Sequence, residues 1–102
     1  MTFKNLQLQS HETRNQSIVT IGSGGTIPIS TVNNTVQVNL SSGMAKAGTI
    51  AIIYDFRGNA STNNIDVHPL GGYSINGGTD IYITTDFGGA IVFHDGNNWF
   101  TP

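Results

Sequence analysis

The 102-residue chain contains no cysteine, which excludes disulfides, thiol catalysis and cysteine-ligated zinc and leaves the redox compartment open. Charge is scarce: four Lys and Arg face six Asp and Glu, for a net charge of −2. There is no basic run. A protein that neutralises a phosphate backbone needs a cationic stripe, so no nucleic-acid partner is expected. No apolar run approaches the roughly 18 residues of a membrane-spanning helix, so no membrane association is expected. The opening MTFKNLQLQSHETRNQS lacks an apolar h-region, so no secretory signal is read there. Leucine is sparse, four residues against 12 Ile and six Val. That balance argues against a helical bundle and favours strands.

Small polar residues dominate instead. Gly, Thr, Asn and Ser make up 44 of the 102 positions. Such a composition also occurs in disordered chains, but regular Ile and Val clusters indicate a packed core here. The length is that of one domain, whose modest core would gain stability from a subunit interface.

Residues 1–16 are polar, with Phe3, Leu6 and Leu8 as apolar points and two of the four cations, Lys4 and Arg14. They are read as an N-terminal arm, either frayed or docked on a neighbour through Phe3, Leu6, Leu8 and Arg14. From residue 17 to 102, short β-branched runs alternate with turn clusters. Residues 26–32 (TIPISTV) carry Pro28, which lacks an N–H and so predicts an edge strand or bulge. Residues 35–40 (TVQVNL) place Val36, Val38 and Leu40 on one face and polar residues on the other, and with Asn33-Asn34 between them the two runs read as a hairpin. Residues 49–56 (TIAIIYDF) are the most apolar run and predict a central strand. Asp95-Gly96-Asn97-Asn98 predicts a hairpin loop before Trp99. About eight short strands at regular spacing give the expected fold class: all-β, a small antiparallel β-sandwich or jelly-roll-like domain in a single unit.

Candidate chemistry is thin. Gly22-Ser23-Gly24-Gly25 resembles a phosphate loop, but strand-like TIPIS follows where a helix N-terminus is needed, so a plain turn is expected. Asp66 and His68 are two apart on a strand and share a face opposite Ile65 and Val67. Zinc needs three or four converging ligands, and the sequence does not show whether His68 and His94 converge; a histidine contributed by each subunit around a trimer axis is the alternative. No metal or cofactor is expected. There is no G-x-S-x-G elbow. Asp80, Asp86 and Asp95 occupy turn positions where aspartate commonly caps backbone, whereas Asp55 falls within the apolar run, so catalysis is not expected. Among the aromatics, Tyr82 alternates with Ile81 and Ile83 and should face away from the core; Tyr73 and Tyr82 are candidates for stacking on a glycan. Trp99 is read as a core plug.

Residues 48–100 combine a Gly-Thr-Ile opening strand, a loop at Gly58-Asn59-Ala60, a strand introduced by Asn63-Asn64-Ile65, a turn at Ile75-Asn76-Gly77, an alternating strand and a closing Asp95-Gly96-Asn97-Asn98-Trp99. This order resembles a module recurrent in virion proteins of tailed bacteriophages. The resemblance covers about half the chain and implies a compact β-domain in homotrimeric appendages: head decoration (cement) proteins, head fibres, tail fibres or spikes. It implies a structural protein on the capsid surface, with itself and the major capsid protein as partners, and carries over no catalytic residue. Tail fibres usually hold such modules as one segment of a long chain, so a short chain beginning at Met1 is read first as a decoration protein. The alternative it implies is a tail or fibre location with a host-surface glycan as partner. Residues 1–47 match no family pattern.

Overall fold

The computed structural model describes residues 17–102. The expected arm, with Phe3, Leu6, Leu8 and Arg14, lies outside the described residues. Eight strands follow one another: β1 Ile18–Ile21, β2 Gly25–Ile29, β3 Val36–Leu40, β4 Ile50–Asp55, β5 Ile65–Pro69, β6 Ile81–Ile83, β7 Gly89–His94 and β8 Trp99–Phe100. A 3-10 turn at Ser42–Met44 is the one helical element among the described residues. Sheet I has the order β1-β3-β5-β6 and sheet II the order β2-β4-β7-β8.

The first five strands alternate between the sheets, and their pairing is parallel. β1 lies parallel to β3, β3 to β5, and β2 to β4. Parallel neighbours need a long crossover. Here each crossover carries a strand of the other sheet: residues 22–35 connect β1 to β3 and contain β2, and residues 41–64 connect β3 to β5 and contain β4. The chain therefore winds as a flattened coil. Antiparallel pairing enters at the far side, where β5 pairs β6, β4 pairs β7 and β7 pairs β8.

This corrects two expectations. The domain is all-β and built of two sheets, but it is mixed rather than antiparallel. Residues 26–32 and 35–40 do not form a hairpin: β2 and β3 belong to different sheets. The alternation of Val36, Val38 and Leu40 marks a half-buried strand but says nothing about which neighbour it takes. After β2 the chain buries Ser30 and Thr31 and crosses to the other layer instead of reversing. The carbonyl of Thr31 accepts a hydrogen bond from the Asn63 side-chain amide at 2.9 Å, which ties this crossing to the segment leading into β5. Other expectations agree with the structure. β2, with Pro28, is an edge strand, β4 is flanked on both sides, and Asp95 to Asn98 close the β7–β8 hairpin.

The core lies between the sheets. Sheet I contributes Val19, Ile21, Val36, Val38, Leu40, Ile65, Val67 and Ile83, and sheet II contributes Ile27, Ile29, Ala51, Ile53, Val92 and Trp99. Trp99, the largest of them, is fully buried, as expected of a core plug. His94 lies beside it, with the two rings edge-on at 4.9 Å.

Candidate functional site

The two sheets present contrasting outer faces. On sheet II, register places Ile50 opposite Phe93, Ile52 opposite Ile91, and Phe93 opposite Phe100. These residues point away from the core face formed by Ala51, Ile53 and Val92. The bulkier side of β4 is thus its outer side. Ile50 is 54% exposed, and the Phe93 and Phe100 rings pack against each other at 5.8 Å. Polar residues normally occupy the outward positions of a half-buried strand. Here a patch of isoleucine and phenylalanine spans three strands.

Sheet I is the reverse. Its outer face carries Ile18, 59% exposed, and Thr20 on β1, but otherwise polar or amphipathic residues: Gln37 and Asn39 on β3, Asp66 and His68 on β5, and Tyr82 on β6. The Gln37 amide donates to the Asn39 side-chain oxygen at 2.7 Å. Asp66 and His68 do share this face, as expected, and both meet Asp80, which immediately precedes β6. His68 Nδ1 lies 3.0 Å from Asp80 Oδ1. Because a carboxylate only accepts, Nδ1 carries the proton and Nε2 is the ring's remaining polar atom. Asp66 is half-buried; desolvation, with the hydrogen bond and charge of Asp80, pushes its carboxyl from 3.8 up to about 7. Protonated Asp66 donates to Asp80, and that hydrogen bond, with those of His68 and Thr79, holds Asp80 below the usual carboxylate range. One negative charge is thereby fixed on Asp80 in a ring of donors. Tyr82 stands beside the pair, opposite Asp66 in register and 60% exposed, and the two carboxyl groups push its phenol upward.

A shallow depression of about 330 Å3 opens beside this cluster, lined by His68, Pro69, Leu70, Gly71, Gly72, Tyr73 and Thr79. Gly71 has φ +80, and a Cβ there would stand 2.8 Å from Ser42 and 3.3 Å from the Tyr73 ring, so only glycine lets the chain turn this tightly against the tyrosine. Tyr73 is half-buried, with its ring edge-on to His94 at 5.1 Å. A smaller cleft of about 130 Å3 is lined by Tyr82, Thr84, Thr85 and Gly88 among others.

The residues that carry the resemblance hold backbone rather than form one site. Gly58 donates its N–H to Asp55 at 3.0 Å, and the Asn59 carbonyl accepts from Thr62 and Asn63 at 3.0 and 2.9 Å. The Asn64 carbonyl accepts from Val36 at 3.3 Å. Asn76 adopts φ +52, ahead of Gly77 at φ +79, and its side chain bonds Thr101 twice, through Nδ2 to Oγ1 at 2.8 Å and through Oδ1 from the backbone N–H at 2.9 Å. Asp95 Oδ1 accepts from the N–H groups of Asn97 and Asn98 at 2.8 and 2.9 Å, as a turn-capping aspartate should, and these bonds lower its pKa. The Gly96 N–H donates to His94 Nδ1 at 3.0 Å.

Two aspartates depart from their expected roles. Asp80 caps no loop and instead joins His68 and Asp66. Asp55 is the organising residue that sequence reasoning missed. It is fully buried, and its carboxylate accepts backbone N–H groups from Arg57, Gly58, Ala60 and Phe87. The DFRGNA run, aspartate followed by glycine and small residues, was the available signal; the Phe87 partner, 32 residues away, was not. His94 and His68 do not converge: one lies in the core of sheet II and the other on the outer face of sheet I. Among the described residues no group of three or more His, Asp or Glu side chains is placed to hold a metal ion. No family model matches the chain, and neither does any curated protein sequence.

Proposed function

We propose that this chain is a structural protein of a bacteriophage virion, a capsid decoration protein that associates with itself as a homotrimer and binds the major capsid protein. The observation that carries the reading is the apolar outer face of sheet II. Ile50, 54% exposed, and the half-buried Ile52, Ile91, Phe93 and Phe100 share this face across three strands. Such a patch on a small soluble surface marks an association site, and a closed cyclic assembly would remove it from water while adding to a modest core. The resemblance of residues 48–100 to virion modules supports the same reading. In it, residues 1–16 serve as the contact arm to the capsid.

The test is the copy number of the chain in purified virions, by quantitative mass spectrometry against the major capsid protein, together with its mass in solution. Abundance comparable to the capsid protein and a trimeric mass are the expected results. A small fraction of that abundance would move the chain to a tail or fibre. Absence from virions, or a monomer at every concentration, would overturn the proposal.

A further inference from the structure

We propose that Asn76 is a site of spontaneous covalent modification, deamidated through the backbone nitrogen of Gly77 at a rate set by its contacts with Thr101. Neither self-association nor a capsid partner is needed for it. Asn76-Gly77 is the one Asn-Gly pair in the sequence. The pair sits at the tip of a tight turn closed by reciprocal N–H···O bonds of 2.9 Å between Ile75 and Gly78. Both residues are exposed. Asn76 has φ +52, in the left-handed region that asparagine enters more readily than most side chains, and Gly77 has φ +79. A Cβ on Gly77 would meet nothing within 4 Å, so water reaches this side of the turn. Having no side chain, Gly77 also leaves its nitrogen open to the carboxamide that precedes it.

The reaction needs only water. The Gly77 nitrogen gives up its proton and attacks Asn76 Cγ, a cyclic imide closes, and Nδ2 leaves with that proton as ammonia. Water then opens the imide. Addition at Cγ restores the main chain with an aspartate at position 76, whereas addition at the backbone carbonyl of that position leaves Gly77 attached through Cγ, as isoaspartate. Thr101 opposes the first step. Its Oγ1 accepts from Asn76 Nδ2 at 2.8 Å and its N–H donates to Asn76 Oδ1 at 2.9 Å, so the carboxamide is gripped at both ends. Swinging Cγ onto the Gly77 nitrogen breaks both bonds. Two neutral hydrogen bonds at the surface are worth about tenfold or more in rate. Conversion is therefore slow while Thr101 is in place and fast once the chain beyond β8 comes away. Isoaspartate lengthens the main chain inside a turn that abuts the core. Ile75 is buried, the Asn76 N–H donates to the Trp99 carbonyl at 3.0 Å, and the Trp99 N–H donates to the Ser74 carbonyl at 3.0 Å.

The test is to incubate the full chain at mildly alkaline pH and physiological temperature and to follow deamidation at Asn76 by fragmentation mass spectrometry, beside the same chain unfolded in urea. The folded chain should convert about tenfold or more slowly than the unfolded one. Thr101→Val, which removes Oγ1 alone, and Thr101→Pro, which removes the N–H as well, should accelerate the folded chain in that order, by about tenfold for the proline variant. Both should begin with the wild-type circular dichroism and Trp99 fluorescence. Chains carrying isoaspartate, separated by chromatography, should show altered Trp99 fluorescence, whereas Asn76→Asp, which still accepts the Thr101 N–H, should not. An Asn76 that stays intact in Thr101→Pro, or that converts equally fast in the wild type and in that variant, would overturn the proposal. Should the proline variant lose its native spectrum, Thr101→Val decides alone, and a rate equal to the wild type's would overturn the guarding role of Thr101.

Discussion

Replacing Asp55 should cost more stability than replacing any surface carboxylate, and the size of the cost follows from its geometry. Oδ1 accepts the N–H groups of Arg57 at 3.3 Å and Gly58 at 3.0 Å; Oδ2 accepts those of Ala60 at 2.9 Å and Phe87 at 3.1 Å. The residue is 0% exposed. Asparagine has nearly the same shape but only one acceptor atom. Its oxygen should turn to the shorter pair, Ala60 and Phe87, leaving its NH2 against the Gly58 N–H and the already long Arg57 contact. Losing one good and one weak bond to a carboxylate, at about 1.5–3 kcal/mol for a good one, puts Asp55→Asn at about 2–4 kcal/mol. Asp55→Ala loses the whole set and should approach the total stability of a domain this size, about 5–15 kcal/mol. Urea unfolding followed by the fluorescence of Trp99, the single tryptophan and fully buried, reads the loss directly. Hydrogen exchange should show the Gly58 amide deprotected before that of Phe87 in the asparagine variant. A loss under about 0.5 kcal/mol in Asp55→Asn, or equal losses in both variants, would refute the assignment of Asp55 as the clamp between the two loops.

Three further outcomes are expected. Asp66 is raised to about 7, so between its usual 3.8 and that value the folded chain holds a proton that the unfolded chain has released, and stability should decline as pH rises through this window. Asp66→Asn, which still donates to Asp80, should flatten that decline in thermal midpoints, whereas the contributions of Asp80, Asp86 and Asp95, all lowered, should disappear only as pH falls below 3.8. Gly58→Ala should destabilise by about 1–3 kcal/mol in the same urea assay, because φ is +85 and the new Cβ would stand 2.6 Å from the Phe87 ring. Ile91→Asn with Phe93→Ser should leave the circular dichroism spectrum unchanged and shift the solution mass to monomer; an unchanged oligomer would move the interface off sheet II.

Faces were legible in the sequence, and partners were not. Val36, Val38 and Leu40 point inward as their alternation predicts, Tyr82 points outward, and Asp66 and His68 share a side, because a period of two is a property of one strand by itself. Pairing direction is a property of two. The runs at 26–32 and 35–40 look like hairpin arms joined by Asn33-Asn34, yet the fold routes them into different layers. The outer side of β4 was similarly ambiguous: Ile50 and Ile52 are no less apolar than Ala51 and Ile53, and only the opposing sheet decides which pair it encloses, while Tyr54, on the side of Ile50 and Ile52, is buried all the same. The polar cluster escaped notice for the same reason. Asp80 stands in a loop 12 residues from His68, and the antiparallel return of β6 is what brings the two to 3.0 Å.

The winding of the first five strands also bears on how the chain reaches its folded state. No two of β1 to β4 that are adjacent in sequence are hydrogen-bonded to each other. The β1–β3 ladder can close only after the segment bearing β2 has been laid across the other layer, and the β2–β4 ladder waits in the same way on β3. Neither sheet can mature as a separate unit, so the parallel part should assemble in one cooperative, slow event dominated by distant contacts. The β7–β8 hairpin, closed by a four-residue loop from Asp95 to Asn98 and anchored by Trp99, is the local structure available early. A chain growing from its N-terminus would complete that hairpin last, after β1 to β5, the strands of all three parallel ladders, have emerged.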